Sequence, residues 1–330
     1  MTKRIIVTGA AGYIGGTFVY EALLQNHFVY GIDNFSNSTS KNIDYFKANF
    51  TENFYFSELD LSVSKLELKE IISDFRPDII IHFAGLKSVA ESEKKPDLYW
   101  SNNLNSTSNI LECIDEKISF IFSSSATVYG DSLVQPLNEN CVLKATSVYG
   151  ETKISSENLI REASLSKGIK SICLRYFNPV GSHKDYVVVE DFQNQPNNLM
   201  PRLIQTAKNN TNSIDIYGSD YQTRDGTGER DYIHITDIVE GHMLAMKNIQ
   251  DIKNIEFYNL GTGIPVSVLS LVKTFNEVNN LNININFVDR REGDVEICFA
   301  DPTKAFNDLN WKAKYDLKEM CKDSWKAANV

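Results

Sequence analysis

The chain has 330 residues, of which 42% are hydrophobic and 23% are charged, proportions typical of a soluble globular protein. Its 33 basic and 43 acidic residues leave a net charge of −10, which argues against nucleic-acid or anionic membrane partners because both require a positive surface. The five cysteines lack CxxC spacing and no run approaches the roughly 18 apolar residues of a membrane span, so we expect no disulfides, no metal site and a cytoplasmic location.

Short apolar runs alternate with helical segments through the first half of the chain. Strands of a parallel sheet are covered on both faces, so they show continuous apolar character. Between the first two runs, residues 12–25 place Ile14, Phe18 and Leu23 along one stripe of a helix. This alternation predicts an α/β fold with a Rossmann-type doubly wound parallel sheet. The predicted strands are RIIVTG at 4–9, FVYGID at 28–33, DIIIHFAG at 78–85, ISFIFSSS at 118–125 and SICLRYFN at 171–178.

The pattern changes after residue 178. Asn178 precedes a proline, which favours extended backbone and interrupts the alternation. Shorter, more mixed elements follow around the glycine- and charge-rich stretch YGSDYQTRDGTGERDYIH at 217–234. We therefore predict a Rossmann domain at 1–178 and a smaller mixed α/β domain at 179–330 that holds the substrate. The apolar stretch FYNLGTG at 257–263 indicates that a segment near 232–262 returns to the first domain.

A glycine-rich turn joins the first predicted strand to the first predicted helix. VTGAAGYIGG at 7–16 has GxxGxxG spacing, which lets a pyrophosphate approach the backbone at a helix N-terminus. A plain strand-to-helix turn is the alternative. Asp33 ends the second strand, where a carboxylate can accept both ribose hydroxyls of an adenosine and repels a 2′-phosphate. A loop-capping role is the alternative for Asp33, but together these features favour NAD over NADP.

The stretch SVYGETK at 147–153 places Tyr149 and Lys153 on one helix face. A tyrosine with an ordinary pKa near 10 is a poor base at neutral pH. An ammonium about 4 Å away would favour the phenolate by about 4 kcal/mol at an effective dielectric constant near 20. We therefore expect Lys153 to lower the pKa of Tyr149 so that the tyrosine acts as a general base. The serines that end ISFIFSSS could hydrogen-bond to a substrate oxygen, and a chance YxxxK spacing is the alternative.

These motifs resemble a known family. The GxxGxxG turn, Ser125 and the Tyr149–Lys153 pair are similar to those of the extended short-chain dehydrogenases/reductases. Within that family, nine segments spread over nearly the whole chain resemble the UDP-glucose 4-epimerases in order and spacing. The segments are TGAAGYIG, DNFSNS, IHFAGLKSV, FSSSATVYG, LRYFNPVG, NNLMP, DGTGERDYIH, YNLGTG and RREGD.

The resemblance implies an NAD site and a UDP-hexose site. Arg230 and Arg291 would supply guanidinium forks for the diphosphate within an acidic protein, and a surface pair between Glu292 and either Arg290 or Arg291 is the alternative. The residues implied for NAD are Gly9, Gly12, Tyr13, Ile14, Gly15, Asp33, Asn34, Phe35, Ser36, Asn37, Ser38, Asp60, Leu61, Phe83, Ala84, Gly85, Leu86, Lys87, Asn102, Ser125, Tyr149, Lys153 and Phe177. The residues implied for the UDP-hexose are Lys87, Ser125, Tyr149, Asn178, Asn198, Leu199, Asp215, Ile216, Tyr217, Arg230, Arg291, Glu292, Gly293, Asp294 and Cys298.

The implied reaction is the NAD-dependent 4-epimerisation of UDP-galactose and UDP-glucose through a 4-keto intermediate. Tyr149 would take the proton of the sugar 4-hydroxyl, Lys153 would support it, and Ser125 would hydrogen-bond to the same oxygen. NAD would stay bound and be regenerated in each turnover. The resemblance also implies a homodimer.

Cys298 stands where members restricted to UDP-glucose and UDP-galactose typically have tyrosine. The smaller side chain leaves room in the pocket wall, so the resemblance implies that UDP-GlcNAc and UDP-GalNAc are accepted as well. Neighbouring side chains that fill the space are the alternative.

Two other functions remain as alternatives. Nucleotide-sugar 4,6-dehydratases share the fold and the tyrosine–lysine pair, but they usually have Asp-Glu after the strand-end hydroxyl residue, where this chain has Ala126 and Thr127. A non-catalytic NAD-binding regulatory protein is the second alternative, and the intact set of Ser125, Tyr149 and Lys153 argues against it.

Overall fold

A seven-stranded parallel sheet lies at the centre of the computed structural model, which describes residues 2–190, 198–209, 213–291 and 293–330. The strands are β1 Arg4–Thr8, β2 Phe28–Asp33, β3 Phe54–Glu58, β4 Ile79–His82, β5 Ser119–Ser125, β6 Ser171–Tyr176, β7 Asn178–Val180, β8 Ser213–Tyr217, β9 Glu229–Arg230, β10 Tyr232–His234, β11 Ile255–Leu260, β12 Val266–Ser267, β13 Asn284–Val288 and β14 Ile297–Cys298.

Helices cover both faces of this sheet and build much of the second half of the chain. They are α1 Tyr13–Leu24, α2 Lys41–Asn49, α3 Lys65–Phe75, α4 Val89–Lys94, α5 Pro96–Tyr99, α6 Asn105–Cys113, α7 Val148–Lys167, α8 Leu199–Lys208, α9 Ile235–Asn248, α10 Val268–Asn279, α11 Thr303–Leu309 and α12 Leu317–Ala327, with a π-helical turn at Trp100–Leu104 and a 3₁₀ turn at Ala126–Tyr129.

The order of the large sheet is β3-β2-β1-β4-β5-β6-β11, and every neighbouring pair is parallel. The order reverses direction between β1 and β4, which places a crevice at the carboxyl ends of these two strands. The predicted Rossmann-type doubly wound fold is confirmed. All five predicted strands are present, and β3 is an additional edge strand.

Alternation along the strands divides the core into two layers. Ile5 and Val7 pack with Phe18 of α1 on one face of the sheet. Ile6 packs on the other face, in the cluster that includes Ile160 of α7. Successive residues point to opposite faces of a strand, so the continuous apolar runs bury both faces and hold α1 and α7 against the sheet.

A smaller mixed α/β unit follows in the second half. Its apolar cluster includes Leu203 of α8, Ile216 of β8, Phe275 of α10 and Met320 of α12. β8 pairs with β13, and β9 pairs with both β12 and β14. β11 lies in the large sheet beside β6, so the chain returns to that sheet after the smaller unit has begun.

Within the described ranges, no helix combines the length and apolar character needed to cross a bilayer. The same part of the chain contains no group of three or more His, Cys, Asp or Glu side chains arranged to hold a metal ion. All five cysteines are free thiols.

Candidate active site

The glycine-rich turn between β1 and α1 forms one end of a cleft. Gly9 has a φ of 68°, and a Cβ at this position would lie 2.8 Å from the Ala84 amide nitrogen. At Gly15, a Cβ would collide with the Gly9 carbonyl oxygen. Gly12 precedes α1 and offers no capping side chain. The turn therefore has no side chains at these three positions, and backbone atoms line the approach to the start of α1. Such a site suits the pyrophosphate of a dinucleotide.

Asp33 ends β2 and is 8% exposed. Its carboxylate accepts hydrogen bonds from the Ala11 amide at 3.0 Å, the Phe35 amide at 2.9 Å and the Ser38 hydroxyl at 2.9 Å. It therefore ties the glycine turn to the loop after β2, and it also lines the cleft. A negative charge on this wall disfavours a 2′-phosphate.

Two adjoining cavities of about 40 and about 240 Å³ extend from the glycine turn past the ends of β4 and β5. Most residues predicted to bind NAD line them, namely Gly9, Gly12, Tyr13, Ile14, Gly15, Asp33, Asn34, Ser36, Asn37, Ser38, Asp60, Leu61, Phe83, Ala84, Gly85, Lys87 and Asn102. The predicted residues that lie outside these two linings are Phe35, Leu86, Ser125, Tyr149, Lys153 and Phe177.

A segment from the second half of the chain also lines the larger cavity. Val189 and Glu190 face the glycine turn, and a Glu190 carboxylate oxygen lies 3.5 Å from Lys87 Nζ. The Tyr13 hydroxyl donates a hydrogen bond to the Gly181 carbonyl oxygen at 2.6 Å. No local sequence pattern indicates that this segment lies at the cleft, because only the tertiary fold brings it there.

Ser125, Tyr149 and Lys153 come together at the carboxyl end of β5. Ser147 caps α7, since its Oγ accepts a hydrogen bond from the Gly150 amide at 3.2 Å. Lys153 Nζ donates to the Ser123 carbonyl oxygen at 2.8 Å and lies 5.8 Å from the centre of the Tyr149 ring. The Ser125 side chain is a hydrogen-bond partner of the Tyr149 hydroxyl. The i, i+4 spacing on α7 and the end of β5 thus place a hydroxyl, a phenol and an amine side by side.

Burial controls the acidity of this group. It raises the pKa of Tyr149 to about 12, against the opposing hydrogen bond from Ser125. Burial also lowers the pKa of Lys153 to about 8, against the opposing negative charge of Glu157. The net shift of the Tyr149 pKa in the protein alone is therefore upward, and the expected downward shift is wrong, because burial outweighs the groups that favour the phenolate. Burial thus disfavours both the Tyr149 phenolate and the Lys153 ammonium, and a further positive charge nearby would favour the phenolate.

Arg230 and Asp294 lie together on the smaller unit. Arg230 Nη1 donates to the Glu229 carbonyl oxygen at 2.9 Å, and Arg230 Nη2 lies 3.9 Å from Asp294 Oδ1. Cys298 pairs with Arg230 across β9 and β14. Cys298 also packs against the apolar cluster that contains Ala126 and Phe177. Cys298 therefore lies between Arg230 and Ala126, the residue that follows Ser125.

Consecutive arginines of the RREGD loop have different contacts. The Arg290 side chain donates to Asp220 Oδ1 and to the Asp220 carbonyl oxygen, both at 2.7 Å. The Arg291 guanidinium lies 3.7 Å above the centre of the Tyr217 ring. Arg290 therefore pairs with Asp220 at the surface, whereas Arg291 lies on the aromatic residue at the end of β8. Glu292 lies outside the described residues, and the φ of Gly293 is 80°.

The remaining predicted substrate residues lie on β7, on β8 and at the start of α8. Asn178 begins β7, Asn198 precedes α8 without a side-chain cap, and Leu199 is the first residue of that helix. Asp215 Oδ1 accepts a hydrogen bond from Asn286 at 3.4 Å. Ile216 is 1% exposed in the core, so at this position only backbone atoms are available to a ligand.

The comparisons with known proteins agree with this geometry. A family model described as GDP-mannose 4,6 dehydratase matches residues 6–324. The UDP-glucose 4-epimerase of Bacillus subtilis is 41% identical over 327 residues, which are 98% of this chain and 96% of that protein. The chain belongs to the UDP-glucose 4-epimerase family. The resemblance found in its motifs is confirmed.

Solved structures of this epimerase family share the fold over its full length. The UDP-glucose-4-epimerase of Stenotrophomonas maltophila, solved with bound NAD and formylated UDP-arabinopyranose, has a TM-score of 0.94 and 35% identity, covering 99% of this chain and 98% of that one. The UDP-Glc/GlcNAc 4-epimerase of Campylobacter jejuni has a TM-score of 0.85 and 31% identity, covering 99% of both chains.

Two residues of this epimerase-family chain were not predicted and lie among the substrate candidates. The Arg202 guanidinium of α8 lies 5.5 Å from the centre of the Tyr217 ring. Hydrogen bonds from Arg291 and then from Arg202 lower the pKa of Tyr217. Tyr221 lies under Arg290, whose guanidinium is 4.0 Å from its ring centre. The sequence does not indicate the contact of Arg202 with Tyr217 or that of Arg290 with Tyr221. The partners are far apart along the chain and meet only in the folded protein.

Proposed function

We propose that this protein interconverts UDP-galactose and UDP-glucose by epimerisation at C4 of the sugar, using NAD held in the cleft at the carboxyl ends of β1 and β4. The observation that carries the proposal is the convergence of Ser125, Tyr149 and Lys153 beside this cleft. The full-length similarity to UDP-glucose 4-epimerases supports it.

The cleft fits NAD. Bare backbone at Gly9, Gly12 and Gly15 would receive the pyrophosphate at the start of α1, and the Asp33 carboxylate would face the adenosine ribose. When bound, NAD supplies the acceptor and later the donor of the C4 hydride, together with a positive charge that favours the Tyr149 phenolate.

The residues of the chain handle the proton and the substrate oxygen. Tyr149 Oη takes the proton of the 4-hydroxyl and returns it when the alcohol re-forms. Ser125 Oγ hydrogen-bonds to the same oxygen and to Tyr149. Lys153, fixed by the Ser123 carbonyl oxygen at 2.8 Å, holds a positive charge on the tyrosine's side of the pocket.

Arg230 and Arg291 would hold the diphosphate while the 4-keto sugar turns between them and the cleft. Guanidinium groups suit this task because they bind phosphate oxygens in pairs. In the structure, the Arg291 guanidinium is stacked on the Tyr217 ring. Arg291 would bind the diphosphate either from this stacked position or after moving away from the ring. The other members of the proposed substrate site are Lys87, Asn178, Asn198, Leu199, Asp215, Ile216, Tyr217, Glu292, Gly293 and Asp294.

The pocket wall at Cys298 favours a wider substrate range. Cys298 is partly buried among Ala126, Tyr129 and Phe177, and burial raises the pKa of its thiol to about 11, so it is neutral. A small neutral side chain leaves room for an N-acetyl group, and we propose that UDP-GalNAc and UDP-GlcNAc are substrates too. The similarity to a UDP-Glc/GlcNAc 4-epimerase supports this extension.

The dehydratase named by the family model is disfavoured by the residues after Ser125. Elimination of water needs an additional acid and base, but Ala126 has no ionisable group. Thr127 donates its hydroxyl to Ser125 at 3.0 Å. A regulatory protein without turnover is separated from the proposed enzyme by the assay below.

The test is to incubate the purified protein, without added NAD, with UDP-galactose and separately with UDP-GalNAc, and to follow the sugars by proton NMR. We expect both to reach equilibrium mixtures of C4 epimers. Tyr149→Phe should reduce the rate by at least about 100-fold while bound NAD is retained. If added NAD also gave no conversion, the proposal would be overturned.

We further propose a cytoplasmic homodimer. Each subunit would have a domain at 1–178, to which a segment near 232–262 returns, and a second domain at 179–330. The five free thiols fit a reducing compartment. Val89, Leu98 and Leu165 expose apolar side chains on α4, α5 and α7, and these helices pack together. Light scattering should give twice the chain mass of 37.4 kDa, and a monomer would contradict the dimer.

A further inference from the structure

A buried ion pair lies behind the catalytic group. The side chains of Glu157 and Arg175 are each 2% exposed. Arg175 donates from Nη2 to Glu157 Oε2 at 2.6 Å and from Nε to Oε1 at 2.9 Å. The Ser124 hydroxyl donates to the same Oε1 at 2.6 Å, and Arg175 Nη1 donates to the Tyr129 hydroxyl oxygen at 3.0 Å. The proposed reaction uses none of these contacts.

A buried ion pair is weak support for stability, because desolvating two charges offsets their attraction. Its position indicates another role. Glu157 lies one turn after Lys153 on α7, so the two side chains share a helix face. Lys153 binds the carbonyl oxygen of Ser123, and Glu157 binds the hydroxyl of Ser124. The two α7 side chains therefore hold consecutive residues of β5, directly before Ser125.

We propose that Glu157 is a positioning residue for Lys153. Its carboxylate, paired with Arg175, keeps the lysine in its ammonium form and fixes α7 to the end of β5. The inference rests on the proposed epimerase function, because that reaction is what requires a charged Lys153 beside Tyr149.

Three other titratable side chains act on Lys153 besides Glu157. Tyr149 on the same helix has a pKa raised to about 12 by burial, and His82 on β4 has a pKa lowered to about 3 by burial and by Lys153. Burial raises the pKa of Cys173 on β6 well above its ordinary value. All three are neutral at pH 7, so among the described groups that act on Lys153, Glu157 supplies the negative charge.

The protonation of Lys153 sets the direction of the pH shift expected when the Glu157 charge is removed. Its ammonium form is present below its pKa of about 8 and is lost as the pH rises through that value. Because the Glu157 charge opposes the lowering by burial, its removal shifts the loss of the ammonium to lower pH. Activity that depends on the ammonium should be lost over the same lower range.

The experiment compares Glu157→Gln with the wild type by two readouts. Heteronuclear NMR of the lysine side chains gives the titration midpoint of Lys153, assigned by its absence in Lys153→Met. The pH dependence of UDP-galactose conversion is measured from pH 6 to 9.5. We expect the midpoint to fall by about one pH unit, and the ratio of the rate at pH 8 to the rate at pH 6 to fall about fivefold.

Glu162→Gln is the matched control, since it removes an exposed carboxylate from the same helix and should change neither readout. If Glu157→Gln fails to fold with Arg175 unpaired, the double variant Glu157→Gln/Arg175→Met removes both charges and should shift the midpoint in the same direction by a smaller amount, because the positive charge of Arg175 disfavours the Lys153 ammonium. An unchanged midpoint, or a rate loss equal at every pH, would overturn the inference. Absence of turnover in the wild type would instead refute the proposed function, while the NMR midpoint would still test Glu157.

Discussion

Lys153→Met tests the electrostatic support of Tyr149. The Lys153 ammonium lies 5.8 Å from the centre of the Tyr149 ring. At an effective dielectric constant near 20, a positive charge at this distance stabilises a phenolate by roughly 3 kcal/mol, which equals about two pKa units. Methionine keeps most of the side-chain volume and removes the charge. We therefore expect the rate of UDP-galactose conversion at pH 7 to fall about 100-fold.

The pH dependence sharpens this prediction. The wild-type lysine is an ammonium below its pKa of about 8 and becomes neutral above it. The ratio of wild-type to Lys153→Met rates should therefore shrink as the pH rises from 7 to 9.5. Rates are measured by proton NMR with saturating NAD, and the bound NAD is quantified so that cofactor loss is separated from loss of catalysis.

Lys117→Met is the control, because Lys117 is exposed and lies on the loop before β5, away from the catalytic group. It should retain the wild-type rate. A loss of less than threefold in Lys153→Met with NAD fully bound, or a ratio that does not change with pH, would refute the electrostatic reasoning.

Three further substitutions test other parts of the site. Cys298→Tyr should reduce the conversion of UDP-GalNAc by about tenfold or more through steric overpacking and leave UDP-galactose conversion unchanged; equal loss of both rates would contradict the proposed pocket. Arg202→Leu removes the guanidinium that lies 5.5 Å from the centre of the Tyr217 ring, and we expect it to raise the KM for UDP-galactose about tenfold with kcat unchanged. An unchanged KM would exclude Arg202 from binding. Gly15→Ala places a methyl group against the Gly9 carbonyl oxygen, so the purified variant should contain little NAD by absorbance after denaturation, and full NAD content would show that the turn tolerates a side chain.

The large sheet could be predicted because its central strands are buried on both faces. Ile5, Ile6 and Val7 form such a continuous run, and the same pattern located β2, β4, β5 and β6. The edge strand β3 has a mixed pattern in which Phe54 is buried and Tyr55 is exposed, so continuous apolar character does not find it. β9, β12 and β14 have two residues each, too few for any periodicity.

The site shows the same division between local and tertiary information. The spacing of Tyr149 and Lys153 places them on one helix face whatever the rest of the chain does. Their pKa values depend on burial by β4, β5 and β6, which the sequence does not show, so the expected direction for Tyr149 was wrong. Glu157 and Arg202 become visible only when α7 packs on β5 and when α8 meets β8.

The central claim is that the C4 hydrogen leaves the sugar as a hydride, is held by the bound NAD, and returns to the same carbon. UDP-galactose carrying deuterium at C4 tests it most directly, with the product UDP-glucose examined by proton NMR and mass spectrometry in ordinary water. We predict that deuterium is retained at C4 of the product, because the hydride is never exchanged with solvent. Replacement of the deuterium by solvent hydrogen would contradict the account, since it would show that C4 is inverted by proton exchange and not by hydride transfer.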